Sequence, residues 1–212
     1  MKINHSSKHT APLPFAPPSP GGAGGESWGW GWVRWGRFLF FFILFSLFFS
    51  CGQIENEFSS RQVYLRFDNQ THLDPNLMSA MNAMTSNVFC RIWLSSPDHL
   101  SFQSNQGTTS TVTLTAQEMR SPLILGISNA SGLIVGYGFG GVFYCYDAVC
   151  PNCYDSKLER TLTMNTTGIA TCAGCGHQYD LTNNGLSPQG GKLDRYRATT
   201  GGQTGTLLVS NR

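Results

Sequence analysis

The sequence predicts an all-β domain of antiparallel strands, and three observations carry that expectation. Apolar and polar side chains begin to alternate after residue 60: in "RQVYLRFD" Val63, Leu65 and Phe67 point one way and Gln62, Tyr64 and Arg66 the other, the pattern of a half-buried strand. The later β-rich runs are short, and clusters of Gly, Asn and Ser separate them as tight turns would. No long helix is visible, and strands this short and this many suit an antiparallel sheet rather than a parallel one.

Taken in order, "LDPNLMSAMNAM" spaces Leu73, Leu77, Met81 and Met84 as a helix would, with Asp74-Pro75 as cap and first-turn pair; a short helix or an ordered loop fits. "NVFCRIW" reads as a strand, as does "TVTLT" after the polar turn "QSNQGTTS". From residue 121, "LILGIS", "GLIVGYG" and "GVFYCYD" are β-rich runs, with breaks at Asn129–Gly132 and Gly138–Gly141 that look like hairpin turns. "RTLTM", "HQYDL", "LDRYRAT" and "GTLLVSN" complete the strand series, with turns at Asn165–Gly168 and Asn183–Gly185. Cys90 and Cys145 sit in strands beside aromatics and read as small buried hydrophobes. Trp93 and Tyr64 read as packing residues, and His72 and His99 as solvated loop residues near Asp74 and Asp98. The Asn-x-Thr/Ser triplets at Asn69, Asn129 and Asn165 match a glycosylation acceptor but read here as turns.

The start of the chain is of another kind. Residues 38–49 are apolar except for Ser46, follow Arg34 and Arg37, and end at Ser50-Cys51. A bilayer span takes about 20 apolar residues, so this run has the length of a signal-peptide core with a basic flank. A small residue followed by cysteine, with Leu47 upstream, resembles a bacterial lipoprotein signal in which Cys51 carries the lipid. The Pro- and Gly-rich stretch before it has no face to bury, and we expect translation to begin near Val33. The expected organisation is therefore an extension plus signal over 1–50 and a β domain over 51–212. The expected location is a cell membrane or outer membrane, lipid-anchored and facing the periplasm or the cell surface.

Charge excludes one class of partner. Four of the 14 Lys/Arg and one of the 12 Asp/Glu lie in residues 1–50, leaving ten against eleven beyond it. The mature domain has no basic face for nucleic acid. It also has no Ser/His/Asp nucleophile arrangement, no phosphate loop and no carboxylate pair beside its cysteines. The residue patterns therefore do not lead us to expect an enzyme, save as an electron-transfer component.

The chemistry is carried by Cys150 and Cys153 in "AVCPNCYDSK" and by Cys172 and Cys175 in "ATCAGCGHQYD", two C-x2-C pairs with eighteen residues between them. Two such turns supply four thiolates, enough to close a tetrahedral site. Gly174 and Gly176 suit turns that need positive φ and close approach of backbone to sulfur.

The run "GGVFYCYDAVCPNC … TCAGCGHQYDLTNNGLSPQGGKLDRYRAT … GTLLVSN" resembles the Rieske domain, and more closely the Rieske-like lipoproteins of Bacteroidetes. Tyr144, Asp147, Cys150, Pro151, Cys172, Gly176, Tyr179, Asp180, Gly185, Leu193 and Tyr196 fall on that family's pattern. The resemblance implies a Rieske-like antiparallel β domain with a small ligand-loop subdomain over about residues 131–212. A Rieske centre uses two cysteines and two histidines, and here both histidine positions are changed: Asn152, followed by Cys153, stands at the first, and Cys175 at the second. Gly190-Gly191 replaces the family's Gly-Pro element. His177 stands two residues beyond its place, a possible substitute ligand. What remains is a four-sulfur site on a Rieske-like scaffold.

Three readings of that site stay open. Four thiolates around Zn²⁺ leave no open position, so the metal would hold two loops together and catalyse nothing. The same cysteines could bind a 2Fe-2S cluster or a single iron and pass electrons to a redox partner protein. Or the pairs could close as disulfides in a metal-free structural or surface-binding lipoprotein, although a C-x2-C disulfide closes a tiny loop and stabilises little.

Overall fold

The chain described by the computed structural model, residues 56–211, is built of eleven strands and three one- to two-turn helices. In order these are β1 (Tyr64–Asp68), α1 (Asn69–His72), α2 (Pro75–Ala80), β2 (Phe89–Ser96), β3 (His99–Ser104), β4 (Thr109–Thr113), β5 (Leu133–Tyr137) and β6 (Phe143–Asp147). They continue with α3 (Pro151–Asp155), β7 (Leu162–Met164), β8 (Ile169–Cys172), β9 (Gln178–Asp180), β10 (Ala198–Thr200) and β11 (Thr206–Ser210). The strands form three antiparallel sheets with spatial orders β1-β11-β10, β4-β3-β2-β5-β6 and β7-β8-β9. The fold is all-β, as the alternation and turn chemistry predict. Among the described residues no helix is long and apolar enough to cross a membrane; Cys51 and the apolar run before it lie outside them.

β1 keeps its expected faces: Val63, Leu65 and Phe67 are buried and Arg66 is exposed. Its partner is the last strand, Leu65 facing Val209 and Phe67 facing Leu207. α2 is capped as expected: the Asp74 carboxylate accepts the Leu77 N–H at 2.9 Å, with Pro75 in the first turn. Only Leu77 and Met81 of its apolar series go inward; Leu73 and Met84 fall outside the helix and are exposed.

Three expectations about strands and turns fail. "LILGIS" is not a strand, because side chains take the backbone groups a ladder would use. Asn129 Oδ1 accepts the Leu125 N–H at 2.8 Å and Asp147 Oδ2 the Ile127 N–H at 2.7 Å. Only Ile124 makes a bridge, to Tyr64. The break at Asn129–Gly132 is thus a loop entering β5, which pairs with β2, not a hairpin. Of "LDRYRAT" only Ala198 and Thr199 join a strand, β10, with one bridge from Arg195 to Tyr146. Gly138–Gly141 does turn a hairpin, between β5 and β6.

Two apolar cores result. The larger packs Leu65, Phe67, Leu77, Ile92, Phe102, Leu133 and their neighbours between the five-stranded sheet and the β1/β11 sheet, with Cys90 and Cys145 buried in it. The smaller gathers Phe89, Ile134, Tyr144, Tyr146, Tyr179, Leu181 and Leu193 beside the three-stranded sheet, together with Cys150, Cys153 and Cys172.

His72 departs from its expected solvated role. It is nearly buried, its Nε2 is 3.0 Å from Glu118 Oε2, and its ring stacks on Phe67 at 4.8 Å. Glu118 also accepts the Thr115 and Asp68 N–H groups, so the pair ties the loop after β4 to the end of β1. His99 lies on a strand and shares a 2.7 Å contact with Asp98.

Candidate metal centre

β6 ends at Asp147, and the Asp147 side chain organises the turn into the first cysteine pair. Its carboxylate accepts the Val149 N–H at 2.8 Å, the Ile127 N–H at 2.7 Å and the Tyr196 hydroxyl at 2.8 Å. Burial pushes the carboxyl up to about 6, against these three hydrogen bonds, which favour the charged form. Gly126 belongs to the same knot: it has φ +72°, and a Cβ there would meet Asp147 Oδ2 at 2.2 Å. The run "LILGIS" carries no mark in the sequence that Gly126 serves the site.

The knot aims the chain into Cys150, whose extended backbone (φ −67°, ψ 117°) leads into α3 with Pro151 in its first turn. Proline suits that position because its missing N–H would have no helical partner. One turn of helix then brings Cys153 onto the same side as Cys150, so the first pair sits on a helical turn rather than a plain loop. The second pair closes the β8–β9 hairpin. Cys172 ends β8; its N–H donates to the His177 carbonyl and its carbonyl accepts the Gly176 N–H, both at 2.9 Å. Gly176 takes the positive φ expected of it, +74°, whereas Gly174 does not; its lack of a side chain leaves room for Arg160, whose Cγ would lie 3.2 Å from a Cβ.

The two turns meet. Cys150 Sγ lies 3.6 Å from Cys175 Sγ and Cys153 Sγ 3.6 Å from Cys172 Sγ, so the nearest sulfurs belong to opposite turns. All four lie within 4.8 Å of one another. Among the described residues every cysteine is free, and a disulfide would need about 2.05 Å between sulfurs. The His177 ring is outside this group of ligand atoms and stacks on Tyr179 at 6.2 Å; His177 reaches the site through its backbone.

The surroundings treat the sulfurs unequally. Cys150, Cys153 and Cys172 are buried and Cys175 is exposed. Burial, then hydrogen bonds with Cys175 and Cys172, pushes the Cys153 thiol up to about 12. Burial also raises Cys150, opposed by the Tyr179 hydroxyl and the Cys153 N–H. For Cys175 burial acts upward too, but it is outweighed by the His177 N–H, the Asn152 side chain and the Cys153 and Cys150 thiols, which bring it down to about 6.

The Tyr179 hydroxyl lies 3.5 Å from Cys150 Sγ, and the Asn152 side chain is among the groups that lower Cys175. Nothing in the spacing of the cysteines marks Asn152. From outside, Arg61 lies over the Tyr154 ring of α3 at 4.6 Å and pairs with Asp194 at 3.2 Å.

The donor set fits a metal. Four sulfurs around one ion at about 2.3 Å form a tetrahedron with edges of about 3.8 Å, close to the two 3.6 Å contacts. No protein-family model, no curated protein and no solved structure matches the chain. The centre must be read from its own atoms.

Proposed function

We propose that Cys150, Cys153, Cys172 and Cys175 hold a single Zn²⁺ whose work is structural. On this reading the metal fastens α3 to the β8–β9 hairpin in a Rieske-like lipoprotein anchored to a membrane through Cys51. The observation that carries the metal reading is the 4.8 Å limit on every sulfur pair. In a 2Fe-2S cluster the irons are two tetrahedra sharing an edge of sulfide. With bonds of about 2.3 Å, cysteine sulfurs on different irons then stand at least about 5.3 Å apart. The spacing of the four thiols is nearer to what one ion needs, which supports the single-ion reading. Four sulfurs also leave the ion no open position for substrate or water.

Binding requires thiolates, and burial raises the Cys150 and Cys153 thiols. Loading therefore releases protons, and affinity falls as pH falls. The test is elemental analysis of protein purified without added metal. One zinc per chain and no visible absorbance support the reading; red-brown protein containing two irons and two sulfides overturns it.

A second reading, electron exchange with a redox partner protein through a single iron in the same cage, is favoured by one observation: Cys175 is exposed, giving electrons a short path to the surface. Its mark would be one iron per chain and a signal in electron paramagnetic resonance that Cys175→Ser removes and His177→Ala keeps.

A further inference from the structure

The two ends of the sheets differ in charge. At one end lie the turns 82–88, 105–108, 138–142, 165–168 and 181–187, none of which contains Asp, Glu, Lys or Arg. They are held to one another: Asn87 N–H to the Tyr137 carbonyl at 3.2 Å, Phe139 N–H to the Thr182 carbonyl at 3.1 Å, and Asn105 Nδ2 to the Asn87 and Asn165 carbonyls at 2.9 and 3.1 Å. At the other end lie Asp98, Asp155, Lys157, Glu159, Arg160 and the cysteines. The uncharged end exposes large apolar side chains: Phe139 is 62 %, Val142 40 % and Met84 91 % accessible. Gly140 and Gly141, both at positive φ with open space around them, carry Phe139 and Val142 on the tip of the β5–β6 hairpin.

The described chain begins beside this end. Arg195 Nη1 donates to Glu57 Oε1 at 2.5 Å and to Asn184 Oδ1 of the uncharged turns at 3.1 Å. The Arg195 guanidinium also lies over the rings of Phe58 and Tyr144, at 5.0 and 4.6 Å. Six residue steps, at most about 20 Å of chain, separate Glu57 from Cys51.

We infer that the uncharged end is a membrane contact. Phe139, Val142 and Met84 dip into the lipid interface beside the anchor, and the four-cysteine centre faces away from the bilayer. The inference rests on the lipid-anchor reading of Cys51. Lipid is the occupant because the turn tips themselves offer apolar groups, the nearby charges (Asp180, Lys192 and the Arg195–Glu57 pair) being bonded around the 181–187 turn, and because a tether this short keeps it at the membrane. Burial of a few apolar side chains is too weak to hold a protein on a membrane but sufficient to orient one already attached.

The test is photo-crosslinking of the full chain in neutral phosphatidylcholine vesicles, with p-benzoylphenylalanine in place of Phe139 or, as control, of Met119. Met119 is also exposed but lies beside Pro97 and Asn129 at the charged end. The expected result is that the protein floats with the vesicles and position 139 yields about fivefold or more lipid adducts than position 119. A floating protein with equal adducts at the two positions, or with position 139 joined to a second copy, overturns the inference and leaves the anchor intact. Protein that fails to float overturns the anchor and this orientation with it.

Discussion

The two cores of this protein are closed by different means. The larger is sealed by apolar area: aliphatic and phenylalanine side chains from two sheets, with the chain's first and last strands paired across it. The smaller packs residues of β2, β5 and β6 beside a sheet whose strands have only three or four residues, with tyrosines whose hydroxyls must be satisfied and three of the four cysteines in its wall. Sheets this small are marginal alone. The contrast teaches where a ligand cage is needed: the larger core has the area to stand by itself, and the smaller one is where a metal would add rigidity.

The most severe way to break that contrast is to attack the larger core. Phe102→Ala should cost about 3–5 kcal/mol and lower the melting of both regions together, as followed by calorimetry. Cys172→Ser should do the reverse. We expect metal affinity to fall by more than about 100-fold, beyond the effect of losing a residue that only supports a ligand. Hydrogen-exchange protection should then drop over 148–157 and 171–180 while β1 and β11 keep theirs. Equal loss in both regions would mean that the cores are not separable.

Asp147→Asn sits on the boundary between the two. It replaces one acceptor oxygen with a donor facing N–H and O–H groups and should cost about 1–3 kcal/mol. Its pH dependence sharpens the point. Because the folded carboxyl is pushed up to about 6, above an unfolded value of about 3.9, folding takes up a proton between the two. That contribution is present below about pH 4 and lost as pH rises through about 6. The stability gap between wild type and variant should therefore narrow from about pH 4 to about pH 7 in urea titrations; a gap that widens would give Asp147 the opposite sign. The smallest effect is expected of Tyr179→Phe. Loss of one hydroxyl beside Cys150 should weaken metal binding about tenfold and leave the larger core unchanged in chelator competition.

Legibility in the sequence divides along the same line. β1 was legible because one face is apolar and the other polar without interruption. The four thiols were legible because C-x2-C fixes its two sulfurs locally, and their closeness across turns is in keeping with the chemistry that four thiols suggest. β3 was not legible: "HLSFQS" turns Ser101 and Ser104 inward, and Ser101 is satisfied by the hydroxyls of Ser95 and Thr111, which no local pattern announces. "LILGIS" misled for the converse reason, since its apolar residues pack in a segment whose backbone is bonded by distant side chains. Asn152, Gly126 and Glu118 were hidden in the same way. Each acts through a partner brought near only by the fold.

The pairing of β1 with β11 also sets the order of events as the protein is made. Leu65 and Phe67 have no ladder partner until Leu207 and Val209 exist, so the larger core stays open at one side for as long as the chain is incomplete. Closing a loop of that length is entropically costly and slow. A chain cut short before Thr206 would carry an unpaired, apolar edge strand, the kind of edge that recruits other chains.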